Sequence, residues 1–274
     1  MSVVLTPNNT RSVVKSPVNG DAADASTLTS ETTQPIVNND GFNFLASYGV
    51  CGALMVSSID GVNLTVGALG AVRTTTLVLS TTAPATFSAA TKLGGALANS
   101  ARYYLYAYSN AGTLDYQVST TAPQANRLYK TGSDDHALLS TFSTDSSGII
   151  LPYSQRGNDY TYAVPKISAA LTANTWTDLD LNTAGVLVPA GCMSTTLRLQ
   201  LTNGAGSADT FSVRAKGITA SGYTGASAAY PCPATSDVVT GDILLPCNSS
   251  QVIQYKWTTG TSTDGRVFVA GFRW

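Results

Sequence analysis

The sequence predicts an all-β protein. The expected layout is an extended N-terminal arm followed by two antiparallel domains of the β-barrel or β-sandwich kind, jelly-roll-like in form. Three observations carry that expectation. Apolar and polar residues alternate with a period of two over many short stretches, as half-buried strands require. Clusters of Gly, Pro, Asn and Asp separate those stretches and turn the chain. Only 11% of residues are charged while 43% are hydrophobic, so the solvated faces must be built mainly from Thr, Ser, Asn, Gln and Gly. The 274 residues suffice for one large or two ordinary domains with a sizeable core.

Taken in order, residues 1–40 read as the arm. Thr6-Pro-Asn-Asn-Thr10 and Ser16-Pro-Val-Asn-Gly20 break any regular period, and a run of Asp, Ala, Ser and Thr comes after them. The apolar pairs Val3-Val4 and Val13-Val14 are the arm's candidate contact points with a partner.

Residues 41–163 form the expected first β domain. Gly41–Tyr48 reads as a strand or docking segment, Gly52-Ala-Leu-Met-Val56 as buried, and Asn63–Val66 and Thr76–Leu79 as strands. Its organising element is Ala101–Tyr108. Tyr104, Tyr106 and Tyr108 share one face, and Tyr103, Leu105 and Ala107 the other, so both faces are expected to be covered. The first face is the candidate subunit or partner interface. Ser109-Asn-Ala-Gly112 then turns the chain into Thr113–Val118, a hairpin signal. Val78-Leu-Ser-Thr-Thr-Ala-Pro84 echoes Val118-Ser-Thr-Thr-Ala-Pro123, each a β-run that ends at a proline unable to donate to a ladder.

Residues 164–274 form the expected second domain, a β-sandwich. Leu197, Leu199 and Leu201 share a face, as do Phe211, Val213 and Ala215, and Ile253, Tyr255 and Trp257; the intervening positions are polar. Val267–Trp274 reads as a further strand.

The tyrosine-rich strand, the Ser-Thr-Thr-Ala-Pro break, Tyr129-Lys-Thr-Gly-Ser133 and Phe142-Ser-Thr-Asp-Ser-Ser-Gly148 together resemble a module of tailed-phage virion surface proteins: tail fibres, head fibres and decoration proteins. The resemblance spans roughly residues 60 to 155. It implies a β-rich, usually trimeric module without enzymatic activity, which works by contact with other virion proteins such as the major capsid protein. It also implies a virion location after assembly in the host cytoplasm.

Composition limits other readings. A net charge of −1 gives no electrostatic case for binding nucleic acid. No apolar run reaches the length of a membrane span, and the N-terminus lacks the basic and apolar regions of a signal peptide. Cys51, Cys192, Cys232 and Cys247 contain no Cys-x-x-Cys pair, and His136 is the single histidine, so neither a metal site nor a cofactor is expected. Cys232 and Cys247 lie in proline-flanked loops compatible with a disulfide, but free buried thiols are the expectation for a chain folding in a reducing compartment.

No catalytic residues are assigned. Asp134-Asp135-His136 is the tightest titratable cluster, and it reads as a turn. Acids beside glycine, at Asp60-Gly61 and Asp145-Ser-Ser-Gly148, read as turn formers. Trp176 and Trp257 are the candidates for stacking on a host surface glycan, although each lies in or beside an alternating run that favours the core. The expectation is a homotrimeric, non-enzymatic capsid decoration or short head-fibre protein. A receptor-binding tail fibre or spike is the alternative.

Overall fold

The computed structural model describes residues 50–51, 54–74, 78–171, 173–182, 188–202, 208–217, 227–233, 238–247, 250–258 and 264–274. The predicted arm, with Val3, Val4, Val13 and Val14, and the Gly41–Tyr48 segment lie outside them.

The chain is all-β, and every strand pair among the described residues is antiparallel. Its first half contributes β1 (Val50–Cys51), β2 (Met55–Ser58), β3 (Asn63–Val66), β4 (Ala71–Arg73), β5 (Val78–Leu79), β6 (Ala85–Ser88), β7 (Arg102–Asn110), β8 (Thr113–Ser119), β9 (Tyr129–Lys130), β10 (Ser133–Ser143) and β11 (Tyr153–Arg156). Its second half contributes β12 (Asp159–Ala170), β13 (Thr177–Asp180), β14 (Ser194–Thr202), β15 (Asp209–Ala215), β16 (Ser227–Cys232), β17 (Val238–Pro246), β18 (Val252–Trp257) and β19 (Asp264–Arg273). Among the described residues one short helix, α1 (Ala89–Leu93), comes directly after β6; Ser88 caps its start and Gly94, with φ of 81°, its end.

One eight-stranded sheet, in the order β17-β14-β19-β12-β11-β2-β3-β6, backs two four-stranded sheets, β8-β7-β10-β9 and β13-β18-β15-β16. A small sheet of order β1-β4-β5 completes the set. No sheet closes into a barrel. The eight-stranded sheet ends in two different edge strands, β17 and β6, that do not pair with each other. The expected barrel or sandwich is therefore realised in its sandwich-like form.

The boundary expected between residues 163 and 164 falls inside β12, which runs unbroken from Asp159 to Ala170. On either side of that point the strands belong to one sheet, and the buried residues of both halves form one core. Local sequence does not reveal this, because the hydrogen bonds that join β12 to β19 connect residues about a hundred positions apart.

Each sandwich is built by alternation. In the second half, Leu197, Leu199, Leu201, Phe211, Val213, Ile253 and Trp257 are all buried, as the sequence pattern requires. Trp257 donates its indole N–H to the Leu171 carbonyl at 2.8 Å, which removes the cost of burying it. In the first half the layers join through a polar seam. Tyr153 and Tyr160, from β11 and β12, reach β10: the Tyr153 hydroxyl lies 3.0 Å from Ser140 Oγ, and Thr141 donates its backbone N–H to the Tyr160 hydroxyl at 3.3 Å. Gln155 Nε2 donates to the Leu139 carbonyl at 3.0 Å. Burial raises the Tyr153, Tyr160 and Tyr162 hydroxyls well above the ordinary tyrosine range, Tyr162 to about 12.

The expected hairpin is present. β7 and β8 pair from Tyr104–Ser119 down to Asn110–Thr113 around a two-residue loop. Ala111 and Gly112 both have positive φ, 51° and 85°, as a type I′ turn needs. The two Ser-Thr-Thr-Ala-Pro segments do end strands, but the chain continues differently beyond each: into β6 and α1 after Pro84, into β9 and β10 after Pro123.

Candidate interaction surface

Both faces of β7 are covered, and the chain itself covers much of each. Tyr103, Leu105 and Ala107 are buried, with Tyr103 stacked on Phe142 at 5.5 Å. On the other face Tyr106 is 0% exposed and donates its hydroxyl to the Thr121 carbonyl at 2.8 Å. Tyr106 is thus a core residue, which corrects its assignment to a subunit interface: no surface remains for a partner to touch. Tyr104 and Tyr108 are half-buried at either side of it. Tyr104 packs near the Trp274 ring at 6.0 Å, and Tyr108 stacks on His136 at 4.7 Å.

The Trp257 assignment is corrected for the same reason. Its ring is 0% exposed and meets Phe211 edge-on at 5.0 Å, so no sugar can stack on it. Trp176 is half-buried on the solvated face of the β13-β18-β15-β16 sheet. Arg214 lies 4.0 Å and Lys256 5.0 Å from its ring centroid, a doubled cation–π contact. Arg214 also donates to Gln254, which donates to Asp178, which is paired with Lys216.

The Asp134-Asp135-His136 cluster has a geometry unlike a catalytic relay. His136 Nδ1 lies 2.7 Å from Asp135 Oδ1 and 3.3 Å from Ser133 Oγ, so carboxylate and hydroxyl address the same ring nitrogen. A triad places them on opposite nitrogens. The hydrogen bond with His136 holds the Asp135 carboxyl below its ordinary range, while Asp134 accepts from Gln124. Among the described residues no group of three or more His, Cys, Asp and Glu converges as a metal site, and no helix is long and apolar enough to cross a membrane.

The strongest candidate surface is one that alternation did not flag. The loop joining β2 and β3 and the loop after β10 lie side by side. Asp60 Oδ1 accepts from the backbone N–H of Val62 at 2.9 Å and of Asn63 at 2.8 Å, and its Oδ2 accepts from Asn63 Nδ2 at 2.7 Å. These bonds, with Asn63 N–H the leading contributor, hold the Asp60 carboxyl below its ordinary range. In the second loop Asp145 Oδ1 accepts from Ser147 N–H at 2.8 Å and Ile149 N–H at 3.0 Å. Ile150 N–H then donates to the Gly61 carbonyl at 2.8 Å and staples the two loops together. Gly61, at φ of 74°, leaves room for Ile149, which a Cβ there would strike.

The result is a braced tip that points large apolar side chains at solvent. Ile59 is 85% exposed, Val62 53% and Ile149 48%. Asp60-Gly61 and Asp145-Ser-Ser-Gly148 do act as turn formers, as their sequence suggests. The overlooked signal was the isoleucine immediately before the first turn and the one immediately after the second. No family model and no curated protein matches this chain.

Proposed function

We propose that the chain is a non-enzymatic structural protein of a tailed-phage virion surface, a capsid decoration or short head-fibre protein that acts by contact as a homotrimer. In this reading its two sandwich layers are jelly-roll-like, its arm and first half face the major capsid protein, and it is assembled in the host cytoplasm. The supporting sequence signal is the tyrosine-strand and Thr-Gly-Ser pattern between residues 60 and 155. The observation that carries the reading is the Ile59/Val62/Ile149 tip. Exposed apolar side chains on rigid, mutually bonded turns form a pre-organised contact, because little conformational freedom remains to be lost on docking.

An antibody raised against this chain tests the location. Label on the heads of phage particles in electron micrographs is the expected result; label confined to tails favours the alternative reading; particles with no label overturn both. The alternative, a receptor-binding tail fibre or spike that recognises a host glycan, is favoured by Trp176, the one of the two proposed stacking residues that is not fully buried. Loss of cell-surface binding on Trp176→Ala would support it.

A further inference from the structure

Cys192 and Cys247 meet at the corner where the two sandwiches join. Cys192 precedes β14 and Cys247 comes just after β17, and these strands pair antiparallel with Ser194 opposite Pro246. Cys247 donates its backbone N–H to the Met193 carbonyl at 3.0 Å. Met193 is therefore the cross-strand neighbour of Cys247; Cys192, one residue along, belongs to the buried core, and Cys247 packs against that same core. Cys192 Sγ turns along β14 and donates to the Ser194 carbonyl at 3.5 Å, and the two thiols lie close enough to shift each other's ionisation. Cys192 is buried and Cys247 half-buried, so Cys247 is the more accessible of the pair. Cys232, in β16, instead turns its sulfur toward the Tyr230 carbonyl at 3.8 Å.

The same corner clasps the two halves of the chain. Arg127, from the loop between β8 and β9, donates to the Gly191 carbonyl and lies over the Trp274 ring at 5.7 Å. Trp274 donates its indole N–H to the Ala190 carbonyl at 3.2 Å, and Met193 donates its N–H to the Arg273 carbonyl at 2.8 Å.

We propose that Cys192 and Cys247 close to a reversible intrachain disulfide when the folded protein meets a disulfide oxidant, and that this bond locks the clasp. Cys247 is the attacking sulfur. It is the more exposed of the two, and its interaction with Cys192 holds its thiol below the ordinary range, while the same interaction, with burial, raises Cys192. Cys247 gives up its proton, attacks one sulfur of oxidised glutathione and displaces one glutathione thiolate. Cys192 then gives up its proton, attacks Cys247 Sγ and expels the second glutathione thiolate. Two protein thiols are oxidised, one glutathione disulfide is reduced, and the two released protons match the two thiolates. The inference stands independently of the virion reading.

The experiment treats the folded chain with oxidised glutathione, then alkylates and maps the peptides by mass. The expected result is a linked peptide pair carrying Cys192 and Cys247. It should be accompanied by a rise in melting temperature of about 5–10 °C that dithiothreitol reverses. Cys192→Ser should trap glutathione on Cys247, and Cys232→Ser should leave the linked pair unchanged. A link that uses Cys232 or Cys51, a glutathione adduct on Cys247 that persists in the parent chain, or thiols that all remain alkylatable would each overturn the proposal.

Discussion

Tyr106 and Leu105 show how far single residues could be read. That both faces of β7 are largely covered is legible in Tyr103–Tyr108, a run of aromatic and apolar side chains. Which neighbour covers each face is not, because the covering groups, Thr121 for Tyr106 among them, are placed by the fold. Both residues are 0% exposed, so Tyr106→Ala and Leu105→Ala should act alike on folding rather than divide between folding and assembly. The expected costs are about 3–5 and 2–5 kcal/mol, read from denaturant midpoints. Tyr106→Phe should cost only about 1 kcal/mol, since it loses one hydrogen bond and keeps the ring. Ala111 offers the opposite sign. It sits at φ of 51°, where a Cβ is strained, so Ala111→Gly should raise stability by about 0.5–1 kcal/mol in the same measurement.

Elements were legible in proportion to the length of their alternation. β14, β15 and β18 bury the residues whose spacing marked them, and the β7–β8 hairpin turns where Asn110 and Gly112 placed it. Two-residue strands such as β1 and β9, and the five-residue helix α1, have no period to read; tertiary pairing and capping define them. The braced tip was hidden for a related reason, because a turn-forming motif says nothing of where its apolar neighbours point. Ile59→Ser with Ile149→Ser should leave melting within about 0.5 kcal/mol of the parent, because neither side chain is buried, yet should weaken capsid attachment in a sedimentation assay. Gly271 in β19 has the reverse character. A Cβ there would run into the Tyr160 carbonyl across the β12 pairing, so Gly271→Ala should destabilise by about 2–4 kcal/mol without any effect specific to attachment.

At the scale of the molecule, the shared eight-stranded sheet makes the two halves one thermodynamic body. Calorimetry should show a single transition, and residues 164–274 expressed alone should fail to fold, because the cut passes through β12. A second, independent transition would refute this. Alkaline pH should unfold the whole. Buried Tyr153, Tyr160 and Tyr162 stay neutral in the fold, whereas unfolded tyrosine ionises near 10. Their contribution is complete below pH 10 and is lost as pH rises through about 12 for Tyr162 and higher for the others. Tyrosinate absorbance should therefore rise together with the loss of near-ultraviolet circular dichroism. Sedimentation at micromolar concentration should show a trimer, as the proposed virion role requires. The position of β19 adds a consequence for biosynthesis. Of the described strands it leaves the ribosome last, yet it lies between β12 and β14 inside the widest sheet. Until it emerges, those two strands carry unpaired inner edges, so nascent chains halted before Asp264 should be captured by chaperones far more than chains in which Asp264–Arg273 has emerged.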